Sequence, residues 1–225
     1  MSRELTETIL SLYPERPKVA LLMSGSGTNA VNLLGNPAVR DLYDISLIFT
    51  DNQQSNAAEI ADAHHVPFVE RHVERFESRS ARADYFESLS TILGEHGVQA
   101  AFYAGFMKIT TSEFCMRFPG VNVHPADLRL AGDDELPRFR GMDALSHMRR
   151  ALGYVRSTAH VVDVPVDSGT ALAVSDIVVP TDSMSDADLH DALKVYEHHL
   201  FPETLRLLAT RQLDPHSYSI YILHS

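Results

Sequence analysis

The sequence predicts an α/β protein with a mostly parallel, twisted sheet, helices on both faces and an antiparallel hairpin near the C-terminus. Two observations predict this class. Short, continuous apolar runs, typical of strands buried on both faces, alternate with helical patterns over the first half of the chain. Further on, two strand patterns are joined by a turn alone, which favours an antiparallel pair because a parallel pair needs a longer crossover.

The individual elements follow from apolar periodicity and from the Gly and Pro residues that interrupt it. Strands are expected at 18–23, 45–50, 66–69, 98–103, 121–123, 158–162 and 171–179. Helices are expected at 4–12, from residue 29 onward, and at 57–64, 80–96, 141–152 and 186–209. Residues 126–140 are interpreted as a charged loop, and 218–223 as an edge strand. The chain is therefore predicted to be one domain over 18–213, with a helical N-terminal extension, 1–17, and a C-terminal tail, 214–225.

The composition argues against several classes of function. The net charge of −11 over 225 residues disfavours a nucleic-acid or membrane partner, because either requires a basic patch. No apolar stretch approaches the ~20 residues that span a bilayer, and the N-terminus lacks the apolar region of a signal peptide. The single cysteine, Cys115, lies between Phe114 and Met116, which indicates a packed thiol in a reducing compartment. A cytoplasmic protein is expected.

The histidines do not indicate a metal site. His64-His65 and His198-His199 are adjacent pairs, whose members face different directions on a helix, and no Cys/His spacing resembles that of a zinc site. A serine hydrolase is disfavoured because the chain has no Gly-x-Ser-x-Gly elbow.

The strand at 121–123 carries the strongest candidates for catalysis. Asn122 and His124 are two residues apart, so in an extended strand their side chains project from the same face. Pro125 cannot continue the hydrogen-bond ladder, so the pair lies at the carboxyl end of the strand, where parallel α/β sheets bind ligands. An amide and an imidazole at this position suit an acyl-like carbonyl: Asn122 holds the oxygen and His124 moves the proton.

A carboxylate in the predicted hairpin turn is the third candidate. Asp167 lies in the sequence Val-Asp-Ser-Gly at 166–169. One interpretation is that it holds the His124 ring and stabilises its protonated form, thereby raising its pKa. The other is that it only caps the turn.

The first strand-to-helix turn is a candidate anion site. Gly25 and Gly27 allow a close backbone approach, and the N–H groups at the start of the following helix favour negative charge. Thr28 and Asn29 add side-chain donors. The turn is neither a P-loop nor a complete Gly-x-Gly-x-x-Gly fingerprint, so two interpretations stay open: phosphate binding, or a tight turn that binds nothing.

Five segments in this order resemble the folate-dependent formyltransferase superfamily, in particular its phosphoribosylglycinamide formyltransferase family of purine synthesis. Leu22–Asn29 resembles the family's ribose-phosphate loop, and Ala104–Ile109 its Ala-Gly-Phe-Met-Arg-Ile segment. Residues 122–125 match Asn-Ile-His-Pro, residues 166–169 its Asp-Gly-Gly turn, and residues 197–202 its late Glu-His-x-x-Tyr-Pro helix. The resemblance spans about Lys18 to Leu213 and implies a Rossmann-like formyltransferase fold.

The resemblance also implies roles for individual residues. Asn122, His124 and Asp167 would be the catalytic residues, and no metal would take part. The substrate phosphate and ribose would be bound by Gly25, Ser26, Gly27, Thr28, Asn29 and Glu197. The folate would be bound by Arg79, Phe106, Met107, Lys108, Ile109, Thr110, His160, Asp163 and Val164. The co-substrate would be 10-formyltetrahydrofolate, the other partner a small phosphorylated amine, and the protein a monomer or homodimer.

The loop that follows the His-Pro sequence departs from the family's pattern. Residues 126–129 read Ala-Asp-Leu-Arg instead of Ser-Leu-Leu-Pro, residues 141–145 replace Gly-Leu-His-x-His, and a charged insertion lies at 132–135. Lys108 stands where the family has Arg, which keeps the charge but removes the two-pronged grip on a carboxylate. Formyl transfer to glycinamide ribonucleotide is therefore the first hypothesis. The alternatives are transfer to another amine, hydrolysis of the formyl folate, and a nucleotide-binding module with a relict site.

Overall fold

In a computed structural model, which describes residues 2–12, 15–213 and 221–223, the chain forms one mixed sheet flanked by helices. The strands are β1 Lys18–Met23, β2 Asp44–Thr50, β3 Phe68–Glu70, β4 Ala100–Tyr103, β5 Gly120–His124, β6 Thr158–Val161, β7 Ala171–Ser175 and β8 Tyr221–Leu223. The helices are α1 Ser2–Ser11, α2 Thr28–Gly35, α3 Pro37–Leu42, α4 Ala57–His64, α5 Arg79–Glu95, α6 Ser112–Arg117, α7 Ala144–Leu152 and α8 Asp186–Ala209. None of the helices in these ranges is long and apolar enough to cross a membrane.

The sheet changes direction at β5. The strand order is β3-β2-β1-β4-β5-β6-β7-β8, and β1 to β5 pair in parallel. β6 is antiparallel to both of its neighbours, β5 and β7, and β8 pairs in parallel with β7. The predicted fold class is confirmed, including the antiparallel hairpin of β6 and β7. β8 falls within the predicted tail strand, of which residues 218–220 lie outside the described residues.

Side chains that alternate along the strands build a core on each face of the sheet. In β1, Val19, Leu21 and Met23 pack with the helices α1 to α4 and with α8. Ala20 and Leu22 point the other way and pack against α5 and α6. The apolar run of β1 therefore has one cause: both of its faces are covered, as predicted.

Four elements differ most from those expected. α3 and α6 were not predicted, because a helix of six residues is too short to show a periodic pattern. β7 ends at Ser175 rather than at residue 179. α7 begins at Ala144 rather than at Gly141, because Gly141 has a φ of 77°, in the left-handed region that a helix cannot use.

Candidate active site

Asn122 and His124 lie on β5, the last strand of the parallel part of the sheet. Asn122 is paired with His160 of β6, and His124 with Thr158. The Asn122 amide nitrogen is 3.1 Å from His160 Nε2, and the ring centroids of His124 and His160 are 6.4 Å apart. The two predicted side chains therefore share one face of the sheet and meet a third polar group there.

The turn between β6 and β7 brings Asp167 to this face. Asp167 Oδ2 is 3.4 Å from His124 Nδ1, and both residues are buried. The backbone of Asp167 is left-handed, with a φ of 53°, a conformation that Asp tolerates better than most residues. A Cβ at Gly169 would lie 1.7 Å from the Val161 carbonyl oxygen, so only glycine lets the turn approach β6 this closely. The structure thus brings the three predicted catalytic residues together.

The charged loop supplies two backbone groups that sequence analysis missed. The Phe139 carbonyl oxygen is 3.0 Å from His124 Nε2, and the Gly141 N–H donates to Asp167 Oδ2 at 2.9 Å. Backbone groups have no side-chain signature, so only the path of the loop could reveal them. Both nitrogens of His124 therefore face acceptors, and the protonated ring satisfies both at once.

Burial sets the protonation of His124. Removal of the ring from water lowers its pKa below the usual 6.5, while the Asp167 carboxylate and the Phe139 carbonyl pull it upward. Burial is the largest of these effects. The expected direction of the Asp167 effect on the pKa of His124 is therefore confirmed, but the cost of charging a buried ring is larger, so the net shift is downward.

The glycine loop connects β1 to α2 as predicted. Gly27 has a φ of 71°, and a Cβ there would lie 2.5 Å from Ile60 Cδ1 and from Met23 Cε. Gly25 and Ser26 are exposed at the N-terminal end of α2, the end that favours an anion. The geometry of this loop suits a phosphate.

Glu197 of α8 contacts Asn29, at the start of α2. Its carboxylate accepts hydrogen bonds from Ser157 at 2.8 Å and from Asn29 at 3.4 Å. Burial raises the pKa of Glu197 to about 6, against the pull of these two donors. The buried Asn29 Oδ1 has no hydrogen-bond partner in the described part of the chain, so this cluster keeps an acceptor for a ligand.

A buried polar network joins the glycine loop to the segment with the predicted folate residues. The Ser24 hydroxyl donates to the Asp51 carboxylate and accepts from the Met107 N–H at 2.9 Å. Lys108 Nζ is 3.2 Å from the other Asp51 oxygen and donates to the Glu74 carbonyl at 2.7 Å. Asp51 was not among the predicted residues, although its place directly after β2, at the carboxyl edge of the sheet, was a usable signal.

The other predicted folate residues differ in exposure. Met107 and Ile109 are about half exposed, and Arg79 is exposed at the start of α5. The remaining members are buried or half-buried: Phe106, Thr110, His160, Asp163 and Val164. Nothing in their geometry tests their predicted contact with a folate, which stays a prediction. Within the described ranges no group of three or more His, Cys, Asp or Glu side chains could hold a metal ion.

Known proteins resemble this chain over most of its length. The family model described as "Formyl transferase" matches residues 17–205. The phosphoribosylglycinamide formyltransferase of Mycobacterium tuberculosis (strain H37Rv) is 30% identical over 208 residues, which cover 89% of each chain. The trifunctional purine biosynthetic protein adenosine-3 of Chironomus tentans is 29% identical over 216 residues, and there the chain spans only 14% of the relative's length.

Solved structures show the same fold. Glycinamide ribonucleotide transformylase 1 of Symbiobacterium toebii superposes with a TM-score of 0.74 at 24% identity, with 87% of this chain and 88% of that chain covered. Phosphoribosylglycinamide formyltransferase of Anaplasma phagocytophilum also gives 0.74, at 22% identity, with 93% and 99% covered. Structures at these identities show the fold alone, whereas the family match over residues 17–205 and the relative at 30% identity show the family. The chain belongs to the formyl transferase family.

Proposed function

We propose that the protein transfers the formyl group of 10-formyltetrahydrofolate to the primary amine of glycinamide ribonucleotide. Membership of the formyl transferase family and the name of the mycobacterial relative support the reaction. The observation that carries the proposal is the convergence of Asn122, His124 and Asp167, with 3.4 Å between the carboxylate and the imidazole. These are the groups needed by an amine that attacks a formyl carbon.

The first step forms a bond between the amine nitrogen and the formyl carbon, and the formyl oxygen becomes an oxyanion. One N–H of the Asn122 amide faces His160, and the other is directed at the oxyanion. A single donor of this kind stabilises the transition state by about 3–4 kcal/mol.

His124 moves the proton that the reaction must transfer. Since burial lowers its pKa, the ring begins neutral and accepts the proton from the attacking amine. Asp167 then stabilises the imidazolium until it gives this proton to N10 of the folate, as the bond between N10 and the formyl carbon breaks. His124 Nε2 contacts the Phe139 carbonyl in this structure, so turnover requires that contact to be exchanged for one with the reacting atoms.

The flanking groups bind the substrates. Gly25, Ser26, Gly27, Thr28 and Asn29 bind the phosphate, and Glu197 accepts hydrogen bonds from the ribose hydroxyls. Residues 106–110, with Arg79, His160, Asp163 and Val164, form or support the folate site. The exposed Gly25 and Ser26 support the phosphate assignment, and the unpaired Asn29 oxygen, which can accept from a hydroxyl, supports the ribose assignment. The exposure of Met107 and Ile109 supports the folate assignment.

One assay tests the proposal. Purified protein is mixed with 10-formyltetrahydrofolate alone and then with glycinamide ribonucleotide as well, and release of tetrahydrofolate is followed. Turnover that requires the ribonucleotide is the expected result. Turnover without an amine would indicate a hydrolase, and silence in both mixtures would remove glycinamide ribonucleotide as the acceptor.

A different amine acceptor is the second candidate, because the loop beside the site carries an unusual hairpin. Residues 131 and 137 form a bridge, and the tip between them holds Asp133, Asp134 and Glu135. Asp134 forms an ion pair with Arg140 at 2.9 Å, and the two neighbours of Arg140 in the chain, Phe139 and Gly141, contact His124 and Asp167. A panel of amines that bear phosphate or sugar groups, each tested with the same folate, distinguishes this candidate.

Three properties remain predictions. A reaction without a metal follows from the chemistry of the three side chains, which need no Lewis acid. A cytoplasmic location is supported by the free, buried Cys115, a thiol that a reducing compartment keeps unoxidised. Whether the protein is a monomer or a homodimer is answered by sedimentation.

A further inference from the structure

His160 lies on the same face of the sheet as Asn122, directly opposite it on the neighbouring strand. Its side chain is 1% exposed, and its two ring nitrogens have different neighbours. Nδ1 is 2.9 Å from the Val161 carbonyl oxygen, while Nε2 is 3.1 Å from the Asn122 amide nitrogen and 3.7 Å from Asp167 Oδ1. The ring is thus placed between a backbone carbonyl and two of the side chains assigned to catalysis.

These neighbours fix the tautomer of the ring. A carbonyl oxygen can only accept, so the hydrogen of neutral His160 lies on Nδ1 and is donated to Val161. Nε2 then carries a lone pair, which accepts from the Asn122 amide. Burial lowers the pKa of His160, and the neighbouring His124 adds to this effect while Asp167 opposes it, so the ring stays neutral near pH 7.

A neutral acceptor at this point determines which way the Asn122 amide faces. With Nδ2 toward His160, one N–H of the amide is bound by the ring and the second N–H is available to the substrate. A flipped amide would put Oδ1 against the lone pair of Nε2, where two acceptors repel each other and no hydrogen bond forms. Asn122 and His160 are directly opposite in the antiparallel pair of β5 and β6, so the backbone register holds the two side chains together.

We propose that His160 is a positioning residue, which acts through Asn122 by accepting one amide N–H and thereby aims the other at the formyl oxygen. The proposal rests on the oxyanion role of Asn122 given above. It also replaces direct folate contact as the main role of His160, since the buried ring uses both nitrogens within the protein.

Two variants of similar size separate this role from a merely structural one. His160→Asn keeps a polar group near the Nδ1 position, where it can bond to Val161, but offers Asn122 no acceptor. His160→Gln reaches the Nε2 position with its amide oxygen and restores that acceptor. We expect kcat to fall about 10- to 100-fold in His160→Asn, less than the loss on removing the donor itself, and to recover to within about fivefold in His160→Gln. KM for both substrates should change less than about twofold, because ground-state binding is untouched.

A double-mutant cycle tests whether His160 acts through Asn122. In the Asn122→Ala background, His160→Asn should reduce kcat by less than about twofold more. Thermal unfolding of each variant reports on folding, and His160→Leu replaces the Asn variant in the cycle should that variant melt too low to assay. Nitrogen-15 NMR of the unliganded enzyme should show His160 protonated on Nδ1 and unprotonated on Nε2 at pH 7.

Each contrary result has a distinct meaning. A rise in KM for the folate at constant kcat, full additivity with Asn122→Ala, or an Nε2-protonated ring would overturn the positioning role alone. Near-normal kcat in Asn122→Ala would overturn the oxyanion role of Asn122, and the inference together with it.

Discussion

Two buried polar clusters of this molecule differ in whether all of their hydrogen-bonding groups have partners within the protein. The histidine cluster consists of Asn122, His124, His160 and Asp167, and each of its side chains has a polar partner in the cluster or in nearby backbone. The Glu197 cluster consists of Asn29, Ser157 and Glu197, and it leaves Asn29 Oδ1 without a partner in the described residues. Burial lowers the pKa of both histidines in the first cluster and raises the pKa of the carboxyl in the second.

This difference in hydrogen bonding distinguishes side chains that take part in the reaction from side chains that bind the substrate. Reacting groups must be oriented before the substrate arrives, so their hydrogen bonds are made within the protein. A binding group must form hydrogen bonds to the ligand, so part of its hydrogen-bonding capacity stays unused without ligand. An unused buried group lowers the stability of the unliganded protein. Removal of the first kind should lower kcat, whereas removal of the second kind should raise both stability and KM.

The largest effect is expected in the histidine cluster. His124→Ala removes the group that moves the proton and should lower kcat by ~10²–10⁴-fold, with little change in the melting temperature. Steady-state kinetics and thermal unfolding measure the two quantities. His190→Ala, at an exposed histidine of α8, is the matched control and should keep wild-type kcat. Near-normal turnover of His124→Ala would remove the ring from the mechanism.

Asp167→Asn keeps the size of the side chain and removes its charge. It should lower kcat less than the loss of the His124 ring does, by about 10²-fold. The pH profile gives a sharper readout. Neutral His124 is the active form, so kcat/KM of the wild type should rise with pH through a pKa below 6.5. Asp167 pulls that pKa upward, so its neutralisation should move the rising limb to lower pH. A limb that moves to higher pH, or stays in place, contradicts this assignment.

In the Glu197 cluster, Glu197→Gln should make the protein more stable and a weaker binder. The folded-state pKa of about 6 lies above the ordinary value of 4.5, so the folded protein binds the proton more tightly. Ionisation of this buried carboxyl therefore lowers the free energy of unfolding: the loss is absent below pH 4.5 and complete above pH 6, where it reaches about 2 kcal/mol. Denaturant unfolding at pH 4 and 7 should show this loss in the wild type and not in Glu197→Gln.

The same variant should raise KM for the ribonucleotide about tenfold and leave kcat nearly unchanged, because a charged hydrogen bond to the ribose is lost. A fall in kcat at constant KM would place Glu197 among the reacting groups and end the distinction between the clusters.

The smallest effect is expected at the hairpin tip, which belongs to neither cluster. Replacement of residues 133–135 by Gly-Asn-Gly keeps the bonds that close the hairpin, from the Gly132 N–H to Leu136 O and from the Arg138 N–H to Leu130 O. Because the exposed acidic groups at the tip contribute little, kcat/KM for glycinamide ribonucleotide should change less than about threefold. A larger rise in KM for the amine would show that the tip contacts the acceptor.

The sequence predicted those parts of the site that depend on strand periodicity. Alternation along β5 was sufficient to place Asn122 and His124 on one face, and the hairpin turn was sufficient to mark Asp167. The pairing of His160 with Asn122 could not be predicted, because it depends on the register of β5 against β6, beside an irregularity between Ala159 and His160 on the β7 side. The effect of Asp167 on the pKa of His124 was predicted in the right direction, but the larger effect of burial was not, since the depth of burial is a property of the packed loop.

Chain length is tolerated very differently in two neighbouring parts of this fold. The hairpin at 131–137 has space for extra residues, since only its base must reach Phe139. Deletion of one residue within β6 would turn every later side chain of that strand to the opposite face and put Ala159 or Val161 where Asn122 needs a lone pair. Circular permutation or insertion of a reporter domain therefore belongs at the hairpin, and β6 must keep its length to the residue.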